Sequence, residues 1–138
     1  LCRLLAAAVD RPGRCFHTDA VLSAADARVL LGCAELVVGS RYHCFVFALS
    51  QGIPCLGISW SHKYGELFRD VGLGECFVEM QNLDAADLCE RFDRAWAARE
   101  ELSRSIRERV EEYRSRLTDL FDSVAADIRA AQTSSTMQ

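Results

Sequence analysis

The residues best suited to chemistry gather in one short segment, Gly39-Ser40-Arg41-Tyr42-His43, followed twenty residues after His43 by Lys63. An arginine guanidinium is a planar fork that fits a carboxylate or a phosphate. A lysine ammonium is a compact point charge. An imidazole exchanges a proton near neutral pH. Together they suit a small ligand carrying two or more negative charges. Lys63 is the single lysine among sixteen basic residues. Each residue also has a plain structural role open to it. Arg41 can pair with Glu35 or Glu66, His43 can be a hydrogen-bonded core histidine, and Lys63 can be a solvated loop residue. His17 reads as structural.

The elements that must position these groups follow from apolar runs and their breaks. Residues 34–38 read as a buried strand that Gly39 breaks. Residues 41–51 read as a helix that Gly52 ends, and its apolar run at 44–49 covers all sides, which predicts deep burial. Residues 53–59 read as the next strand, with Pro54 tolerated near its start. A strand-helix-strand crossover makes its strands parallel and is nearly always right-handed. The C-terminal ends of both strands then share one edge of the sheet, where open α/β sheets bind ligands. Ser40–His43 follow the first strand, and the loop at 60–63 follows the second. The helix after Ser40 also presents free N–H groups and a positive dipole end there.

Elsewhere, residues 1–9 read as a helix cut at its start, 10–13 as a turn and 15–18 as a short strand. Ser23 is a good N-cap for a helix over 24–31, with Asp26 in its first turn and Gly32 at its end. A helix over 64–71 is stopped by Gly72 and Gly74, and a last short strand fits 75–80. Asn82 or Asp84 caps a helical stretch that runs, with a break, to about residue 131. Leu88, Phe92, Trp96, Leu102, Ile106, Val110, Tyr113, Leu117, Phe121, Val124 and Ile128 form one apolar stripe along it. That stripe fits packing on the protein's own body or pairing between copies. Strands alternating with helices predict an α/β fold with a Rossmann-like parallel sheet flanked by helices.

Composition sets bounds. The chain of 138 residues can bury a real core. Its net charge of −4 gives no support for a nucleic-acid partner. No apolar stretch reaches membrane-spanning length. Seven cysteines, none closer than 11 residues to the next, read as small buried hydrophobes in a reducing cytoplasm. No metal site and no cofactor is expected. Lack of an initiator Met predicts a piece of a longer protein.

Residues 22–73 resemble the C-terminal half of the polysaccharide pyruvyl transferase family. The resemblance rests on Ser40-Arg41-Tyr42-His43 after an apolar strand, Phe47-Ala48 in the helix, Gly52-Ile53-Pro54 before the next strand, and Lys63 beyond it. It implies the C-terminal half of a two-domain fold like that of the GT-B glycosyltransferases. Residues 1–81 would form the Rossmann-like donor-binding domain, 82–131 C-terminal helices packing on it, and 132–138 a disordered tail. It implies transfer of a pyruvyl group from phosphoenolpyruvate to a sugar of a cell-surface polysaccharide, as a ketal. Phosphoenolpyruvate would be held by Ser40, Arg41, Tyr42, His43 and Lys63, with His43 as the catalytic acid/base. The partners implied are phosphoenolpyruvate, a saccharide acceptor and an N-terminal domain of the same protein; a second copy through the C-terminal helices is the partner that the apolar stripe leaves open. Such a fragment alone is expected to be inactive. The competing functions are a GT-B-like glycosyltransferase or sugar-nucleotide epimerase domain, and a non-catalytic helical interaction module.

Overall fold

A computed structural model describes residues 8, 9 and 13–136 of the chain. The helix expected at 1–9 and the turn at 10–13 lie largely outside the described residues. The first described helix, α1 (Ala24–Gly32), starts where its cap predicts. Ser23 Oγ accepts from the Asp26 amide at 3.1 Å and donates to the Asp26 carboxylate at 2.6 Å. Such a cap contributes about 1 kcal/mol. The strand expected at 15–18 is absent. That segment has no ladder partner, and a lone extended stretch gains no backbone hydrogen bonds from being a strand.

Strand β1 (Val37–Gly39) is shorter than expected and keeps Gly39 inside it. The lost residues serve the end of α1 instead, where the Ala34 amide donates to the Leu31 carbonyl at 3.1 Å. Helix α2 (Tyr42–Leu49) follows, then β2 (Cys55–Ser59), α3 (His62–Asp70) and β3 (Phe77–Glu79). The sheet has the order β1-β2-β3, and both pairings are parallel. Val37 sits opposite Cys55 and Gly39 opposite Gly57, while Gly57 also faces Phe77. The expected α/β class with a parallel sheet is therefore present, as a small three-stranded one.

The two crossover helices end alike. After α2, Gly52 takes φ +79° and the Ile53 amide donates to the Ala48 carbonyl at 3.1 Å. After α3, Gly72 takes φ +78° and the Leu73 amide donates to the Phe68 carbonyl at 2.7 Å. This is the glycine-terminated helix end in which a left-handed residue turns the chain back toward the sheet.

The core lies between the sheet and its helices. Phe45 of α2 and Phe68 of α3 are fully buried and meet edge-to-face at 5.0 Å. Phe68 lies on the sheet because Gly57 leaves room for it. A Cβ on Gly57 would come within 2.6 Å of the ring. Helix α2 is less enclosed than its apolar run predicts. Phe45, Ala48 and Leu49 are buried, while Cys44, Val46 and Phe47 are half-exposed. Its outer side faces the thin layer of α1, to which it is tied by Gln51. That side-chain amide donates to the carbonyls of Arg28 and Phe47, each at 2.8 Å.

Asp84 caps α4 (Ala85–Ala97), accepting from the Asp87 amide at 2.9 Å. The chain breaks at Ala98 and continues as α5 (Arg99–Thr136). Helix α5 thus runs into the stretch expected as a tail at 132–138, and residues 137–138 lie outside the described ones. Ile106 of α5 is fully buried, and Leu102 and Val110 pack on the core. Arginines do much of the strapping. Arg91 donates to the Glu75 carbonyl at 2.7 Å, Arg109 to Asp70 at 3.3 Å, and Arg114 to Ser50 at 3.2 Å. Asp70 and Ser50 lie at the ends of α3 and α2, where carbonyls are unpaired and the dipole is negative. Guanidinium groups suit that task, which accounts for part of the arginine excess.

The six described cysteines are free thiols. Cys55 and Cys76 are buried as expected, but Cys33 and Cys89 are exposed. Burial pushes the Cys55, Cys76 and Cys44 thiols above their ordinary range, so they stay protonated at neutral pH. No helix among the described residues is long and apolar enough to cross a membrane.

Candidate functional site

The parallel order brings the C-terminal ends of β1, β2 and β3 to one edge of the sheet. Ser40 and Arg41 follow β1, and α2 begins at Tyr42. Trp60 and Ser61 follow β2, and α3 begins at His62. Lys63 therefore stands in the first turn of α3 and not in the loop expected at 60–63. The helix starts earlier because Ser61 takes the extended backbone of an N-cap, with φ −103° and ψ 127°.

The first turns of α2 and α3 lie against each other. The Tyr42 and Tyr64 rings stack with centroids 5.5 Å apart and planes 22° apart. Phe45 meets the same Tyr64 edge-on at 6.0 Å. This aromatic contact brings Tyr42 and His43 onto the same edge as Lys63, the neighbour of Tyr64. Ser40, Arg41, His43 and Lys63 are all exposed there.

Capping separates these two helices from α1 and α4. Ser23 and Asp84 satisfy the starts of α1 and α4 with side-chain oxygens. Arg41 and Ser61, the caps of α2 and α3, make no side-chain cap hydrogen bond. The Arg41 carbonyl takes the amides of Cys44 at 3.1 Å and Phe45 at 3.4 Å. The amides of Tyr42 and His43 remain open, as the first amides of any helix do until something caps them. In α3 the Ser61 carbonyl takes the Tyr64 amide at 3.1 Å, leaving those of His62 and Lys63. Two positive helix ends, a guanidinium and an ammonium thus face one edge.

The structural roles open to Arg41 can now be weighed. Glu35 is held by Arg99 at 2.7 Å, before β1 and so at the opposite edge. No ion pair joins Arg41 or Lys63 to a carboxylate among the described residues. His43 is exposed beside Tyr42 and Phe47, with ring centroids at 6.1 and 6.4 Å, so it is not a core histidine.

Two further titratable residues share this edge: His62, which the sequence placed there with the 60–63 segment but gave no role, and Glu79, which it did not place there. His62 Nδ1 lies 3.8 Å from a carboxylate oxygen of Glu79, the last residue of β3. They line a small cavity of about 150 Å³ with Gly65, Arg69, Gly74 and Phe77. Applying the strand-end rule to the third strand as well as the first two was the signal for Glu79. A groove of about 540 Å³ lies elsewhere. Ala34, Glu35, Ile53 and Pro54 line it, the residues that precede β1 and β2, together with Arg99 and Arg104 of α5. It belongs to the edge opposite Arg41 and Lys63, whose own surroundings form an open face.

Comparison with known proteins bears on this face directly. The sequence model of the polysaccharide pyruvyl transferase family matches residues 3–62, which include Ser40 to His43 and stop one residue short of Lys63. The amylovoran biosynthesis protein AmsJ of Erwinia amylovora is 24% identical over 100 residues. Those residues are 72% of this chain and 23% of AmsJ, so the chain spans about a quarter of that relative. No solved structure matches the chain. Over residues 3–62, with the Ser-Arg-Tyr-His motif at the start of α2, the chain is similar to the polysaccharide pyruvyl transferase family.

Proposed function

We propose that this chain supplies the donor-binding edge of a larger enzyme that moves a pyruvyl group from phosphoenolpyruvate to a sugar of a cell-surface polysaccharide, in the cytoplasm. The observation that carries this reading is the pair of adjacent helix starts without side-chain caps, flanked by unpaired Arg41 and Lys63. Phosphoenolpyruvate has a carboxylate and a phosphate a few ångströms apart, so it needs several donors spread over one small face. Arg41 grips one group with its fork, and Lys63 neutralises the other. Open amides of Tyr42 and His43, with the Ser40 hydroxyl, complete the cradle.

The reaction needs one proton first. His43, as imidazolium, donates it to the methylene carbon of phosphoenolpyruvate, and the adjacent carbon becomes electrophilic. A sugar hydroxyl attacks that carbon, and its proton returns to the now neutral His43 imidazole. A second hydroxyl of the sugar then closes the ketal as phosphate departs, carrying that hydroxyl's proton away. Arg41 and Lys63 stabilise the departing phosphate, and charge held in place ahead of the reaction does this best. The face is open, and the chain aligns with only about a quarter of its relative. A GT-B-like partner domain closing over it would exclude water and bring the acceptor, so the chain alone should not turn over.

A nucleotide-sugar enzyme remains the rival reading. It would use acidic residues near α3, such as Glu66 and Asp70, to hold a ribose. Thermal denaturation of the complete enzyme separates the two. Phosphoenolpyruvate should raise the Tm, as any ligand specific to the folded state does. Stabilisation by a uridine diphosphate sugar without an effect of phosphoenolpyruvate would reverse the assignment.

A further inference from the structure

The cavity of about 150 Å³ between α3 and β3 is not used by the donor contacts. His62, in the first turn of α3, and Glu79, at the end of β3, stand at its end nearest Lys63. Arg69, in the last turn of α3, stands at the other end, and Phe77 lines it between them. No ion pair holds Arg69 among the described residues. The guanidinium donates hydrogen bonds and the carboxylate accepts them. Their charges cancel, so the cavity suits a neutral polyol and not a second anion. Phe77 adds an apolar ring face. A pyranose ring matches this set, with hydroxyls on its rim and C–H groups on its faces.

Two details sharpen the match. His62 Nδ1 lies 3.8 Å from Glu79 Oε1, too far for a direct hydrogen bond. Gln81 donates to the other oxygen, Oε2, at 2.8 Å. A hydroxyl seated in the gap would accept from the imidazole and donate to Oε1. The second detail is Gly65, inside α3, where glycine is a poorer helix former than alanine. It does not take the left-handed backbone of Gly52 and Gly72. A methyl on it would touch the Phe77 ring at an ordinary 3.4 Å. Neither backbone nor clash calls for glycine there, but a methyl would fill the space over Phe77. We propose that this cavity holds a sugar ring of the acceptor, one of whose non-reacting hydroxyls bridges His62 and Glu79. The proposal rests on the donor site described above. Glu79 is in register with Ser59 of β2, and neighbouring strands lie about 4.8 Å apart. A ring held there presents its remaining hydroxyls to phosphoenolpyruvate at the starts of α2 and α3.

Steady-state kinetics of the complete enzyme test this, beside calorimetry with phosphoenolpyruvate. The acceptor is the producing cell's own polysaccharide, freed of its ketals with mild acid. Glu79→Gln should raise the KM for polysaccharide by about tenfold, the difference between a charge-assisted and a neutral hydrogen bond. Gly65→Ala should raise it by about tenfold or more, since one added carbon in a fitted pocket acts on that scale. Its Tm should stay at or above that of wild type, because alanine is the better helix former. Both variants should bind phosphoenolpyruvate with unchanged affinity. An unchanged polysaccharide KM in both, with donor binding intact, would overturn the acceptor site and leave the donor site standing. Weakened phosphoenolpyruvate binding in Gly65→Ala would make the cavity part of the donor cradle and also overturn it. Wild type that binds no phosphoenolpyruvate would sink the donor site, and the acceptor site with it.

Discussion

Replacing His43 by Ala in the complete enzyme should lower kcat for pyruvyl transfer by about 10²- to 10⁴-fold, the usual contribution of a positioned acid/base. The KM for phosphoenolpyruvate should move far less, because Arg41, Lys63 and two helix ends still hold the donor. Arg41→Ala should do the reverse in emphasis, raising KM strongly. Arg41→Lys should recover little of that loss, since an ammonium keeps the charge but not the fork. Steady-state kinetics on the three variants reads this contrast. Near-normal turnover of His43→Ala would remove it from the chemistry. Attention would then move to His62, which has the Glu79 carboxylate 3.8 Å away to orient it.

The second large effect concerns the platform under that site. Phe68→Ala should destabilise the fold by about 3–5 kcal/mol, the range for deleting a buried phenyl ring. The ring is fully buried and touches Phe45 at 5.0 Å and Phe77 at 5.6 Å. Loss on this scale is a large share of the roughly 5–15 kcal/mol that holds a domain together. Urea unfolding followed by circular dichroism measures it. Gly57→Ala should be costly for the complementary reason, as the new methyl would sit 2.6 Å from the same ring. In a Phe68→Leu background that cost should fall, because a shorter side chain gives room. Equal cost in both backgrounds would show that the clash is not what Gly57 avoids.

How much of this was legible beforehand depends on how local the cause is. Ser23, Gly52 and Gly72 act through their own backbone neighbourhoods, so the limits of α1, α2 and α3 could be read within a residue or two. The crossover over β1, α2 and β2 follows from chirality, so the sharing of one edge by Arg41 and Lys63 could be argued without coordinates. What failed needed a partner distant in sequence. The expected strand at 15–18 has suitable residues but no neighbour to pair with. Glu35 is a reasonable partner for Arg41 by spacing, yet Arg99, sixty-four residues further on, takes it. The break at Ala98 carries no glycine or proline. Arg99 marks it instead, lying 4.5 Å over the Trp96 ring while donating to the Trp96 carbonyl at 3.0 Å. The deep burial expected of α2 failed on its outer side because, among the described residues, α1 alone covers it.

The central claim is that the paired starts of α2 and α3 hold phosphoenolpyruvate. Titration calorimetry of phosphoenolpyruvate into the complete enzyme tests it most directly, with an Arg41→Ala, Lys63→Ala double variant beside wild type. Arg104→Ala, in the groove at the opposite edge, serves as the control. Binding should be lost in the double variant, by at least about a hundredfold for two charge-assisted contacts, and kept in the control. Unchanged affinity in the double variant would contradict the account, and loss in the control alone would move the donor site to the other edge of the sheet.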